Sequence, residues 1–399
     1  MSNISRFTLY LMLPTLLLLF SQATYSQGVR ISGFGTVTMG STLDSEKPLG
    51  FYKDDVQFKP ESLAGVQLYS DIGSKTSATL QLTSRGMNDF DTKIEWLYLT
   101  YILDRNWSFK VGKFRTPFYN YSESLDIGYS YHWIRPPQSV YIPLFNNMEG
   151  ASAMYRSVYG EIDSNLQLFY GTLHETSPGG SVDIDFMAGF SWSLQKDWLS
   201  MRASYFKSKV TIPAVFASAA IPLLPAEANP MAMPGPPGPE MPKVSVSVAN
   251  AILPQGDSAT NAGIALKAEF DDWMVLGEYT HNKVDDSIFT NPVGYYVSFV
   301  YFWGKFQPHI TYERFDTEPQ YEILDMVADT DPVKPLLRDA IGRTDEDKKT
   351  YTLGVKYNLD RGTAVKIDYS YTDFKIEVND PVRPQLDAGV LSASVSFIF

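Results

Sequence analysis

Leu391-Ser-Ala-Ser-Val-Ser-Phe-Ile-Phe399 closes the chain, and its reading decides the fold. Side chains alternate faces along a strand, so Leu391, Ala393, Val395, Phe397 and Phe399 share one face while Ser392, Ser394 and Ser396 share the other. One face meets an apolar medium and the other a polar one. The rest of the chain must say which media these are.

The same pattern repeats upstream. Thr363 to Thr372 sets Val365, Ile367, Tyr369 and Tyr371 against Lys366, Asp368, Ser370 and Thr372, and Asp360-Arg361-Gly362 is a hairpin turn before it. Thr350 to Leu359 turns Thr352, Lys356 and Asn358 inward. Shorter alternating runs are expected at Ala151 to Arg156, Leu166 to Thr172, Leu199 to Tyr205 and Ile264 to Phe270. Sixteen such segments are expected in all, with short and long connections alternating. The segment from Ile94 to Ile102 resists a register, because both of its faces carry large apolar residues.

Composition agrees with an all-β chain: 25 Tyr and 24 Phe stand beside 7 Trp in 399 residues. After the N-terminal segment, no window approaches the ~18 apolar residues of a transmembrane helix. Segments of roughly 8 to 11 residues instead match tilted membrane strands, and an even count matches bacterial barrels. Aromatics mark the ends of the outward faces. Trp107, Trp273 and Phe306 follow short turns, while Tyr205, Tyr279, Tyr312 and Tyr371 precede long loops, the two girdles expected at membrane interfaces. The expected architecture is a transmembrane antiparallel β-barrel of about 16 strands enclosing an aqueous channel. A soluble sandwich or propeller would scatter those aromatics.

Residues 1–26 read as a cleaved signal peptide, with Arg6 before the apolar run Leu11 to Phe20 and cleavage after Ala23 or Ser26. The barrel then occupies 27–399. Without cysteine there is no disulfide scaffold, thiolate metal site or cysteine nucleophile. A net charge of −12 with no dominant basic patch excludes a general nucleic-acid binder. No phosphate loop or metal-ligand spacing is present, so no cofactor is expected.

Three loops stand out. Residues 316–348 are acidic, with ten Asp or Glu against four Lys or Arg, and read as a solvated external loop. Residues 211–261 contain IPLLPAEANPMAMPGPPGPEMPK, a Pro-rich external excursion that cannot enter a sheet ladder. Residues 115–148 form the third long connection and carry eight aromatics: Phe118, Tyr119, Tyr121, Tyr129, Tyr131, Trp133, Tyr141 and Phe145. Such a stretch is too aromatic for a disordered connection and is expected to fold into the lumen. Its charges are Arg115, Glu123, Asp126 and Arg135. The aromatics either present their faces to solutes or wedge the loop against the wall.

The signal peptide, the sixteen alternating segments and the terminal VSFIF ending in Phe399 resemble the Gram-negative outer-membrane porin family. VGKFRTPF, Val111 to Phe118, is similar to the segment of anion-selective and substrate-specific porins that leads strand five into an inward-folded third loop. The resemblance implies a passive channel set in outer-membrane lipid, often a homotrimer. It also implies insertion by the barrel-assembly machinery through the C-terminal strand. The third loop departs from general-diffusion porins in having few charges.

The resulting expectation is a non-enzymatic porin for small hydrophilic solutes or ions, narrowed by an aromatic third loop. Lumen-facing charges are expected at Lys110, Arg156, Arg202, Lys267, Lys356 and Lys366, against Asp185, Glu269, Glu278, Glu313 and Asp368. The cluster Lys110, Lys113, Arg115, Arg135 and Arg156 motivates a modest anion preference. A channel specific for carbohydrate, aromatic or anionic solutes is the alternative. An outer-membrane hydrolase would need His132, His174, His281 or His309 as base, and none lies in a nucleophile motif. An adhesin or structural tether would use the Pro-rich and acidic loops, and bilayer conductance separates it from a pore.

Overall fold

The computed structural model describes residues 28–43, 49, 52–141, 145–177, 180–211, 255–285, 287, 289–342, 344–376 and 387–399. The expected signal peptide and residues 212–254 of the Pro-rich loop lie outside them. The described strands are β1 (Arg30–Thr42), β2 (Leu63–Asp71), β3 (Thr76–Arg85), β4 (Thr92–Ile102), β5 (Trp107–Arg115), β6 (Asn147–Tyr159), β7 (Ile162–Ser177) and β8 (Gly180–Lys196). They continue with β9 (Leu199–Thr211), β10 (Gln255–Glu269), β11 (Trp273–Val284), β12 (Asn291–Tyr301), β13 (Phe306–Glu318), β14 (Glu346–Asp360), β15 (Thr363–Ile376) and β16 (Ala388–Ile398). Each pairs antiparallel with its sequence neighbours, and β1 pairs with β16 to close the barrel.

Closure follows from the medium. In hydrocarbon an unpaired strand edge strands every second N–H and C=O, and a closed ring removes the edge. The seam sets Val37 opposite Val395 and Thr36 opposite Ser396. Gly33 and Phe399 exchange backbone hydrogen bonds of 2.8 and 2.9 Å. The Phe399 and Phe397 rings lie where side chains on Gly33 and Gly35 would stand, which is the packing reason for glycine there. In β16, Ser392, Ser394 and Ser396 are buried inside while Leu391 and Val395 are exposed outside, as the alternation requires.

Aromatics ring both ends of the outer wall. On the short-turn side, Trp107 packs on Tyr155 at 4.8 Å between ring centres, Phe270 on Trp273 at 4.3 Å and Phe306 on Tyr357 at 4.7 Å. On the long-loop side, Tyr312 lies between Tyr295 and Tyr351.

Several strands run further toward the long loops than alternation indicates. β10 begins at Gln255, so the expected loop 211–261 yields its last seven residues to the sheet. The expected loop 316–348 gives up Asp316–Glu318 to β13 and Glu346–Lys348 to β14. Between them lie a 3-10 turn, Tyr321–Met326, and helix α1, Lys334–Gly342, with Leu337 and Ile341 buried together with Ile323 and Leu324. Outside the membrane both faces of a strand are wet. Alternation then stops while the hydrogen-bond ladder continues.

Two bulges explain the register that alternation could not assign in β4 and the one it misplaced in β8. The β3–β4 ladder skips Glu95, which turns inward and is buried, so Ile94, Leu97 and Leu99 all face out. In β8 a bulge at Asp185 leaves that residue exposed and unpaired with β9, with Ile184 and Met187 as its buried neighbours. Asp185 therefore does not take the lumen position that alternation assigned it.

Candidate functional site

After Arg115 the chain leaves the wall and returns at Asn147, having crossed the lumen. A segment lifted off the sheet must find other partners for its backbone polar groups. The inner faces of five strands, β9, β11, β13, β14 and β15, supply them. On the outward arm, Arg202 and Ser204 of β9 donate to the carbonyls of Pro117 and Phe118 at 3.1 and 2.7 Å, and Glu278 of β11 accepts the Asn120 N–H at 2.9 Å. At the tip, Lys356 donates to the Tyr129 carbonyl at 2.7 Å, and Lys366 donates to those of Gly128 and Trp133. Gly128 abuts Thr36 of β1 and Ser396 of β16, so any side chain there would collide with the seam.

The return arm is held as densely. Asp368 accepts the Ile134 N–H at 2.7 Å, Glu313 accepts the Ser139 N–H at 2.9 Å, and the Trp133 indole donates to Thr311 at 2.8 Å. The Tyr141 hydroxyl donates to Glu278 at 2.6 Å. Charge-assisted bonds of this kind, in a wall of low dielectric, fix the loop more firmly than neutral ones.

Most of the loop's aromatics face the wall. Phe118 stacks on Phe206 of β9 with 4.1 Å between ring centres. Tyr119, Tyr131, Trp133 and Tyr141 are buried in the same cluster, which extends through Tyr296, Leu276 and Met274 of the wall. Tyr121 and Tyr129 are half-buried, and Glu123 is exposed. The wedge of aromatics against one side of the barrel thus accounts for the composition of the stretch.

The charges pair off as well. Arg115 contacts Asp126 and lies 3.4 Å from Glu95, and Arg85 reaches Glu95 and Asp126 at 2.9 Å each. Two guanidinium groups and two carboxylates form one closed, mostly buried set. Arg135 meets Glu61 of the first long loop at 2.8 Å, and Glu61 accepts the Tyr52 hydroxyl at 2.7 Å. Burial, with the Glu61 carboxylate beside it, holds the Tyr52 phenol well above its usual value and keeps it a donor.

Among the expected lining residues, Lys110 packs inside over the Tyr98 ring, 4.5 Å from its centre, and Arg156 is exposed. Lys267 pairs with Glu269 at 2.8 Å near the short turns. Arg202, Lys356, Lys366 and Asp368 are spent on the loop. Lys113 differs from expectation: it stands opposite Glu149 and shares an outer notch with the exposed Val111, Leu97 and Tyr170. It faces the membrane side, so it leaves the cationic cluster.

Arg85, Glu95 and Glu61 were not legible as partners of the loop. Glu95 is hidden by its bulge, and the others come from distant segments whose approach only the closed barrel brings about.

One chain of groups has the elements of a hydrolytic relay. His132 Nε2 lies 2.9 Å from Ser298 Oγ, the His132 and His309 rings are 4.7 Å apart, and His309 reaches Asp368 at 3.2 Å. Ser298 is fully buried and also bonded to Thr311 at 2.7 Å, so no substrate reaches it. Its chemistry is anchoring. Among the described residues no group of three His, Asp or Glu is placed to hold a metal ion.

Above the loop, on the long-loop side, the return arm divides two cavities. A polar one of about 360 Å³ is lined by Arg135, Gln138, Glu313, Lys348, Thr352 and Asp368. An apolar one of about 260 Å³ lies on the other side of Ser139 and Val140.

Residues 241–377 match the Gram-negative porin family. No curated protein matches the chain. Among solved structures, a loop-deletion form of OmpT, an outer membrane protein of Vibrio cholerae, is similar with a TM-score of 0.56 at 12% identity, over 93% of this chain and 99% of that one. The anion-selective porin of Comamonas acidovorans gives 0.55 at 12%, over 93% and 99%. The outer membrane channel DcaP of Acinetobacter baumannii gives 0.55 at 10%, over 93% and 97%. At these identities the likeness is one of fold.

Proposed function

We propose that the chain is a Gram-negative outer-membrane barrel that forms a passive, water-filled channel narrowed by its third loop. The observation that carries this reading is the loop's placement: it leaves the wall between β5 and β6 and is held on the far wall by Glu313 on β13 and by Lys366 and Asp368 on β15. A loop so held sets a fixed aperture. The open side of that aperture has Tyr121, Glu123 and Tyr129 on the loop and Lys110 on the facing wall.

The loop's arginines are matched by acids, so they contribute little to the field in the lumen. Lys110 and Arg156 remain, against Glu123, and a weak anion preference follows from them. Permeants are small hydrophilic solutes or ions, and the chain acts without catalysis. A homotrimer is the proposed assembly, supported by the trimer form in which the Vibrio cholerae OmpT was solved. Reconstitution in planar bilayers tests the reading. Discrete conductance steps with a small excess of anion current are expected, and a protein that inserts without conducting is a tether.

A further inference from the structure

The apolar cavity above the third loop is a chemical anomaly in a channel that carries water. Five phenylalanines meet there from separate parts of the chain: Phe118 and Phe145 from the third loop, Phe206 from β9, Phe289 from the β11–β12 connection and Phe315 from β13. Its volume of about 260 Å³ is just below the range of drug-sized sites, which begin near 300 Å³, and suits a single ring. Apolar surface left facing an aqueous lumen is a standing attraction for an apolar solute.

One polar atom gives the cavity direction. Asn261 and Asn282 face each other across the β10–β11 ladder on the inner face, and both line the cavity. The Asn261 amide nitrogen donates to Asn282, and no protein donor among the described residues meets the Asn261 Oδ1, although the residue is 2% exposed. A buried acceptor without a donor is unfavourable, and a ligand that supplies a donor recovers that cost. Shape asks for a ring and Asn261 asks for an O–H or N–H on it.

We infer that this cavity is a binding subsite for small neutral phenols, the ring among the phenylalanines and the hydroxyl donating to Asn261 Oδ1. The inference rests on the porin reading in one respect, that solutes reach the cavity through the open long-loop end. A charged ring is disfavoured, since the five phenylalanines offer no counter-ion and Lys283 is engaged with Asp285 at 2.8 Å.

The test uses the intact protein and two probes of nearly equal shape, 4-bromophenol and 4-bromoanisole, of which only the first has a donor. In planar bilayers, 4-bromophenol added on the long-loop side should interrupt the current reversibly, at concentrations about fivefold lower than the anisole, the factor one hydrogen bond supplies. Asn261→Leu should remove that difference. In soaked crystals the bromine's anomalous signal should lie among Phe206, Phe289 and Phe315. Equal potency of the two probes, or bromine elsewhere in the lumen only, overturns the proposal. Should Asn261→Leu fail to fold, the probe pair on the natural chain decides alone. Absence of any conductance step would instead overturn the porin reading, and the crystals would still judge the subsite.

Discussion

The backbone N–H of Ile134 lies 2.7 Å from the carboxylate of Asp368, although 234 residues separate them. His309 of β13 reaches the same carboxylate at 3.2 Å across β14, so one wall residue of β15 holds both the loop and a strand two places away. Asp368→Ala should leave two buried donors unmet, at about 1–3 kcal/mol each. The barrel should still close, because the ladder of β15 is untouched. Expected are a lower unfolding temperature in detergent and a noisier open current. A quiet current of natural size would mean that Asp368 does not position the loop.

Tyr129 and Trp133 are both on the loop, yet they should respond differently. Trp133 is 1% exposed and packs edge-on to Tyr296, so Trp133→Ala should cost about 3–5 kcal/mol and raise conductance through a displaced loop. Tyr129 is half-buried beside Lys356, and Tyr129→Ala should raise conductance with little change in unfolding temperature. Comparing the two variants by bilayer recording and thermal unfolding checks the aperture directly.

Selectivity should follow exposure. Lys110→Met with Arg156→Met should shift the reversal potential in a salt gradient toward cations while leaving the fold intact. Arg115→Met should instead destabilise by about 3–5 kcal/mol, because Asp126 and Glu95 then share one arginine in a buried setting. A large selectivity change from Arg115→Met in a stably folded barrel would contradict this division.

A short turn should sense acid. The Asp104 carboxylate accepts the N–H groups of Trp107 and Asn106 at 2.8 Å each, and these bonds hold its pKa below the usual carboxylate value. A depressed folded pKa stabilises above the unfolded value of about 3.9, and that stabilisation is lost as pH falls through the folded value. Asp104→Ala should therefore lower stability at neutral pH and flatten its dependence below about pH 4. Thermal unfolding from pH 6 to 2 measures it.

The strand count and the closing partners were legible because a membrane forces alternation on most of the strand length that it touches. Ser392, Ser394 and Ser396 inside and Leu391 and Val395 outside needed no other information. Beyond the membrane that forcing ends, and the outer ends of β9, β10 and β13 were read as loop. The presence of the third loop was visible from its aromatics, but their orientation was not. Trp133 reads alike whether it meets a solute or Tyr296, and only the far wall distinguishes the two. The Arg85, Glu95, Arg115 and Asp126 set was hidden for a second reason: a single bulge moved Glu95 from its alternating place to the inner face.

Gly128 sits against Thr36 and Ser396, where the first and last strands meet. Thr36 and Ser396 lie 360 residues apart in sequence, and such distant pairings are the slowest to form in a folding chain. Here the two strands of the seam also meet the tip of the third loop, at residue 128. If closure and loop docking are coupled at this point, Gly128→Val should slow barrel completion in refolding assays more than it weakens the finished barrel. A slower refolding rate for Gly128→Val with unchanged final stability would give the tip of the third loop a part in the order of assembly.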